Sequence, residues 1–158
     1  MQDLEALFRR LGAPDPEAWA ASQEGEGINQ LHRYLFLRQA WSNVVADGDQ
    51  RWIEAGIAAS KRDPEGPYAG VGQALERLIA AGASRDDLTE VVRGMQAELL
   101  FGFCYLLEDP SIEEPEAAHI GWVLVEADED GAPTERPIGG LHESVLETDP
   151  SGREMRLR

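Results

Sequence analysis

A mostly helical α+β fold is what this sequence predicts: a bundle of about five or six helices with a small C-terminal antiparallel β hairpin packed on it. Three observations point there. Apolar residues recur at three- and four-residue spacing as far as Leu107. Gly and Pro clusters cut that pattern into pieces of helix length. After Pro110 the pattern gives way to a β-type run, Trp122-Val123-Leu124-Val125, followed by the turn Asp128-Glu129-Asp130-Gly131.

In chain order, Leu4, Leu7, Phe8 and Leu11 share a helix face that Gly12 and Pro14 terminate. A short helix follows Asp15-Pro16 with Trp19 inward, and Ser22 to Gly27 reads as a loop. Ile28 to Ala46 reads as one helix with Ile28, Leu31, Leu35, Trp41, Val44 and Val45 on its apolar stripe. Gln50 to Ser60 is a shorter helix, closed by a turn with two prolines at Asp63 to Pro67. Tyr68 to Ala81 is the next, with Val71, Leu75, Leu78 and Ile79 inward and Gly82 past its end. Ser84 then caps a helix running to Leu107. Its second half, from Leu99, is apolar all round, which predicts burial at the centre of the bundle. The hairpin pairs Gly121 to Ala127 with Thr134 to Ile138, where Pro133 and Pro137 confine the return strand to a sheet edge. Leu141 to Glu147 is a short helix or turn. The chain of 158 residues is expected to be one domain, with 119–140 as its β element and 150–158 as a tail.

Charge is the outlying property. Thirty Asp and Glu against fourteen Lys and Arg give a net charge of −16. Glu108 to Glu135 alone holds ten acids and no Lys or Arg. Such a surface repels nucleic acid backbones and anionic membranes and speeds encounter with basic proteins. Surplus acid also keeps a protein soluble without further purpose. The first residues, Met1-Gln2-Asp3-Leu4-Glu5, lack the basic and then apolar pattern of a secretory signal, and the apolar run from Leu99 to Leu107 falls short of a membrane span. A cytoplasmic location is the resulting expectation.

Several motifs fail on spacing. Gly70-Val71-Gly72 has Leu75 where a dinucleotide loop needs its third glycine, so these glycines read as a helix start that permits close packing. Glu126, Asp128, Asp130 and Gly131 fit the opening of a calcium loop, but Pro137 stands where its bidentate glutamate belongs. His142-Glu143 begins like a zinc-hydrolase helix, with Leu146 in place of the second histidine. Ser144 beside His142 lacks a nucleophile elbow. Cys104, the sole cysteine, lies in the apolar run as an inert core thiol. No cofactor and no metal follow from these residues.

Two helix positions invite a role. Phe36 is centred on a polar face with Asn29, His32, Arg33, Gln39 and Asn43, where the hairpin or a partner would cover it. Glu98 shares a face with Val91, Met95, Phe101 and Tyr105. It is either at the rim or buried and paired with Arg33 or Arg38, and in a pocket it would serve as a general acid or base.

In composition alone the chain is similar to small acidic bacterial binding proteins. The function expected is therefore binding, of an inhibitor or immunity type, to a basic protein partner through Asp128, Glu129 and Asp130 at the hairpin tip, with Phe36 as a further contact. One alternative is an enzyme with a pocket between the central helix and the β element, using His142, Glu143, His119 and Glu98. Another is an oligomeric scaffold, a homodimer through Phe36 and the edge strand.

Overall fold

A computed structural model describes residues 3–157. Among them are seven helices: α1 (Leu4–Leu11), α2 (Pro16–Glu26), α3 (Gln30–Trp41), α4 (Arg51–Arg62), α5 (Ala69–Ala80), α6 (Arg85–Glu108) and α7 (Leu141–Ser144). Two strands, β1 (Val125–Ala127) and β2 (Pro133–Pro137), form an antiparallel pair with Val125 opposite Pro137 and Ala127 opposite Pro133. The mostly helical α+β class is thus as predicted. The chain forms two compact units, one from residues up to Asn43 together with Ala97 onward, the other from Val44 to Gln96.

In the first unit, local chemistry sets the helix ends. The carboxylate of Asp3 accepts the Ala6 N–H at 3.1 Å, and Gly12 closes α1 at φ 84°, a left-handed conformation that glycine adopts without Cβ strain. Asp15 caps α2 in the same way, with Pro16 in the first turn. Contrary to the expected loop at Ser22 to Gly27, α2 continues to Glu26, where Ser22 Oγ donates to Glu26 at 3.2 Å, and Gly27 ends it. α3 is also shorter than expected. After Trp41 the side chains of Ser42 and Asn43 bond back to the Gln39 carbonyl, which satisfies the open helix end and stops propagation. The most buried positions of α3 are Gln30, Tyr34, Leu37 and Trp41, not the Ile28–Leu31–Leu35 line.

Phe8, Trp19 and Tyr34 form an aromatic cluster with ring centroids 5.5–5.9 Å apart. The Tyr34 hydroxyl donates to the Leu11 carbonyl at 3.0 Å, and burial raises its pKa above the ordinary value. The C-terminal segment supplies the rest of this core. Leu141 and Val145 are fully buried, and Ser144, Thr148 and Asp149 nearly so. Trp41 Nε1 donates to the Val145 carbonyl at 2.9 Å and to Thr148 Oγ1 at 3.2 Å; Trp19 Nε1 donates to Glu147 at 3.0 Å. In the segment expected as a tail, Ser151 and Met155 bond back to Asp149, whose carboxylate accepts from Ser151 N, Ser151 Oγ and Met155 N.

The expectation for the second half of α6 is overturned. Cys104 and Ala97 are buried, but Leu99, Phe101, Phe103, Tyr105 and Leu106 are exposed. A helix apolar all round is enclosed only if neighbours cover every side, and here they cover one. The hairpin is shorter than predicted as well. The strand itself covers Val125 to Ala127, extended by a backbone bond from Ile138 N to the Leu124 carbonyl at 2.9 Å, while residues 121–123 precede the ladder, with the Trp122 indole donating to the Leu106 carbonyl at 2.7 Å.

The second unit packs through small residues. A Cβ at Gly72 on α5 would overlap the Gly56 carbonyl oxygen and the Ser60 side chain of α4, so that glycine permits the close approach of the two helices. Gly70, by contrast, has open space around it. The buried side of α5 is Ala69, Gly72 and Leu75; Val71 and Leu78, expected inward, are exposed. Ser84 Oγ accepts the Asp87 N–H at 3.2 Å, the cap expected at the start of α6. Trp52 Nε1 donates to Thr89 at 3.1 Å, and Arg93 donates to the Val45 carbonyl at 2.6 Å.

Candidate functional site

The first unit brings three polar elements together around one cleft. α6 ends at Glu108, where a carboxylate opposes the negative end of the helix dipole. Its charge is met by two donors from α7: the Leu141 backbone N–H and His142 Nδ1, the latter at 3.0 Å. The His142 ring lies edge-on to Tyr105 and Phe101, with centroids 5.2 and 5.9 Å away. An ionised carboxylate only accepts, so a neutral His142 donates from Nδ1 and keeps Nε2 as an acceptor.

Arg33 of α3 is the second element. Its Nε donates to the Gly139 carbonyl at 2.7 Å and Nη1 reaches Ser144 Oγ at 3.4 Å. Gly140 sits at φ 69°, and a Cβ there would overlap the guanidinium. Gly139-Gly140 therefore does more than end a strand: it lets the arginine cross the chain. The third element is Glu126 of β1, which accepts from Asn29 Nδ2 at 2.8 Å and pairs with Arg136 of β2 at 3.2 Å. The cleft, about 460 Å³, is lined by Asn29, Arg33, Glu108, Arg136, Gly140 and Glu143 among others.

The sequence-derived candidates distribute unevenly over this geometry. Glu143 lies at the cleft with Glu108, Arg33 and Arg136, whereas His142 is not part of its lining and reaches it only through its bond to Glu108. His119 and Glu98 are exposed, which places Glu98 at the rim rather than in a buried pair. Ser144 is buried, and its hydroxyl is held by Arg33, so it has no activated-nucleophile geometry. Cys104 is a core thiol, its pKa pushed up to about 11 by burial and by the charge of Glu108. Phe36 is half-buried.

At the hairpin tip, Asp128 is a structural residue. Its Oδ1 accepts from Asp130 N at 3.0 Å and Ala132 N at 2.9 Å, and Gly131 turns the chain at φ 80°. Glu129 and Asp130 are exposed beside it. Glu126, the first position of the apparent calcium loop, is drawn to Asn29 and Arg136 instead. Among the described residues no cluster of three or more His, Cys, Asp or Glu is arranged to hold a metal, and no helix is long and apolar enough to cross a membrane.

Sequence reasoning missed Glu108 as an organising residue and Asp149 as a buried hub. The available signal was spacing: Leu141, Val145 and Thr148 follow at four and three residues, a helical inner face inside a polar-looking segment. No family model matches this chain, and none of the curated proteins or solved structures compared with it is significantly similar.

Proposed function

We propose that this chain is an acidic binding protein of the inhibitor type, cytoplasmic, whose first unit occupies the basic surface of a protein partner. The observation that carries this reading is where the charge lies. The first unit holds twenty-one of the thirty acids and eight of the fourteen Lys and Arg, a net of −13; Val44 to Gln96 carries −3. Per residue the net charge of the first unit is about twice that of the second, chiefly because Lys and Arg are scarcer there. Glu113, Glu114, Glu116, Glu129 and Asp130 are all exposed. Such a field accelerates encounter with a cationic surface and weakens as salt screens it. Glu129 and Asp130 are the binding residues at the hairpin tip, while Asp128 shapes the turn that presents them.

Affinity capture from native lysate, read by mass spectrometry at low and at high salt, tests the reading. The expected result is a basic protein held at low salt, weakened at high salt, and lost from bait carrying Glu129→Lys and Asp130→Lys. A partner retained equally by both baits would remove the hairpin tip from the interface. An empty capture at both salts would count against the whole reading.

The cleft supports a second reading, an enzyme. Glu108, which lines the cleft, holds the His142 imidazole through Nδ1, a carboxylate–histidine pair suited to a general base. With a substrate in hand, His142→Ala would abolish turnover in a chain that still folds. A variant that merely melts at lower temperature makes this histidine structural.

A further inference from the structure

The geometry points to a docking surface for a basic amphipathic helix of a partner protein, formed by the outward face of the last turns of α6 and the adjoining segment Ile120–Val123. It rests on the proposed basic partner and says where that partner's apolar side would sit. Leu99, Phe103 and Leu106 follow at four and three residues and share one face of α6. The Trp122 indole is tied to the Leu106 carbonyl, which brings that ring to the last turn of α6. Leu99, Phe103, Leu106, Ile120, Trp122 and Val123 are each 42–66% exposed. Side chains of this size at half exposure leave on the order of 600 Å² of apolar surface, the upper end of what a monomer ordinarily shows in one patch. Gly102 lies on the same side of the helix, exposed, and allows a close backbone approach.

Charge selects the occupant. The bond from Trp122 to Leu106 closes a loop that contains Asp109, Glu113, Glu114 and Glu116 and no Lys or Arg. Glu98 stands at the edge of the helix face. An apolar centre with an acidic rim matches an apolar helix stripe flanked by Lys and Arg, the helix-in-groove mode of recognition. A second copy of this chain fits less well. It would bring two units of −13 together. The patch also falls short of the roughly 800 Å² per partner of a standard interface, so a charged rim must supply the remainder.

The test uses the full chain and two synthetic peptides of identical composition, each about five helical turns of Leu and Lys. One places Leu on a single face; the other scrambles the order so that no apolar face forms. Calorimetric titration at low salt should show the ordered peptide binding at least about tenfold tighter. Leu99→Gln with Phe103→Gln should reduce that affinity about tenfold and leave the scrambled peptide unchanged. Val71→Gln, an exposed apolar position of the other unit, should alter neither, and circular dichroism of each variant confirms folding. Equal, salt-sensitive binding of both peptides overturns the apolar surface while leaving the basic-partner reading standing. Failure of both to bind removes both. If sedimentation shows a dimer that the double variant dissociates, the occupant is a second copy and the inference falls.

Discussion

Val44 to Gln96 and the remainder of the chain are held together by different means. In the former, α4 and α5 approach through Gly56, Ser60 and Gly72, where even one added methyl collides with backbone. In the latter, large aromatics carry the packing: Phe8, Trp19 and Tyr34 cluster, and the Trp19 and Trp41 indoles each reach an acceptor in the C-terminal segment. The surfaces differ in parallel. The aromatic unit carries −13 and the other −3, while exposed apolar side chains occur in both, on α6 and residues 120–123 in the one and at Tyr68, Val71, Val91 and Met95 in the other. In the larger unit a core of bulky side chains with buried polar anchors lies beneath a surface that carries both the denser charge and uncovered apolar groups. That combination suits recognition better than solubility.

Removing the aromatic anchor should have the largest effect. Phe8→Ala empties a fully buried site and is expected to cost about 3–5 kcal/mol in chemical denaturation. A loss below about 1 kcal/mol would mean that the cluster is not the unit's core. Gly72→Ala comes next, at about 1–3 kcal/mol from overpacking against Gly56 and Ser60. Its companion Gly70→Ala should be neutral or gain about 0.5–1 kcal/mol, because open space surrounds it and alanine favours the helix. Equal behaviour of the two glycines would break the close-packing account. Trp41→Phe removes the indole N–H that bonds the Val145 carbonyl and Thr148 Oγ1, leaving that carbonyl only the Thr148 hydroxyl as donor, and empties part of a buried site, so it should cost about 1–3 kcal/mol.

The smallest effect is electrostatic and lies in the other unit. Arg51 hydrogen-bonds Asp49 through side chain and backbone and holds its pKa at about 2, below the usual carboxylate range. A depressed folded-state pKa means stability that is present above the unfolded pKa and lost as pH falls toward 2. The native chain should therefore exceed Asp49→Asn slightly in melting temperature at pH 7, and the gap should close on acidification. The pair lies at the surface, with the Arg51 side chain exposed, so solvent screening keeps the gap small. A gap that widens at low pH would contradict the assignment.

Much of this architecture was legible from local chemistry. Asp15 with Pro16, and Ser84, mark helix starts because a side-chain acceptor or a missing N–H suits those positions. The outer face of α6 was not legible, since an apolar helix side is equally the signature of a buried core and of an unfilled interface. Nor was the C-terminal core. Nothing in the sequence marks Ser144, Thr148 and Asp149 as buried, and hydrogen bonds to groups such as Arg33, Trp41 and Ser151 make their burial tolerable. His142 and Glu143 could be named from sequence, but Glu108, more than thirty residues earlier, becomes their neighbour only through the fold.

The claim that the first unit recognises a basic partner is tested most directly by association kinetics. The rate constant for a captured partner would be measured across a range of salt for the native chain and for Glu129→Lys with Asp130→Lys. The account predicts a steep fall with salt for the native chain, and a slower, flatter profile for the variant. Coincident profiles, or a native rate indifferent to salt, would contradict it.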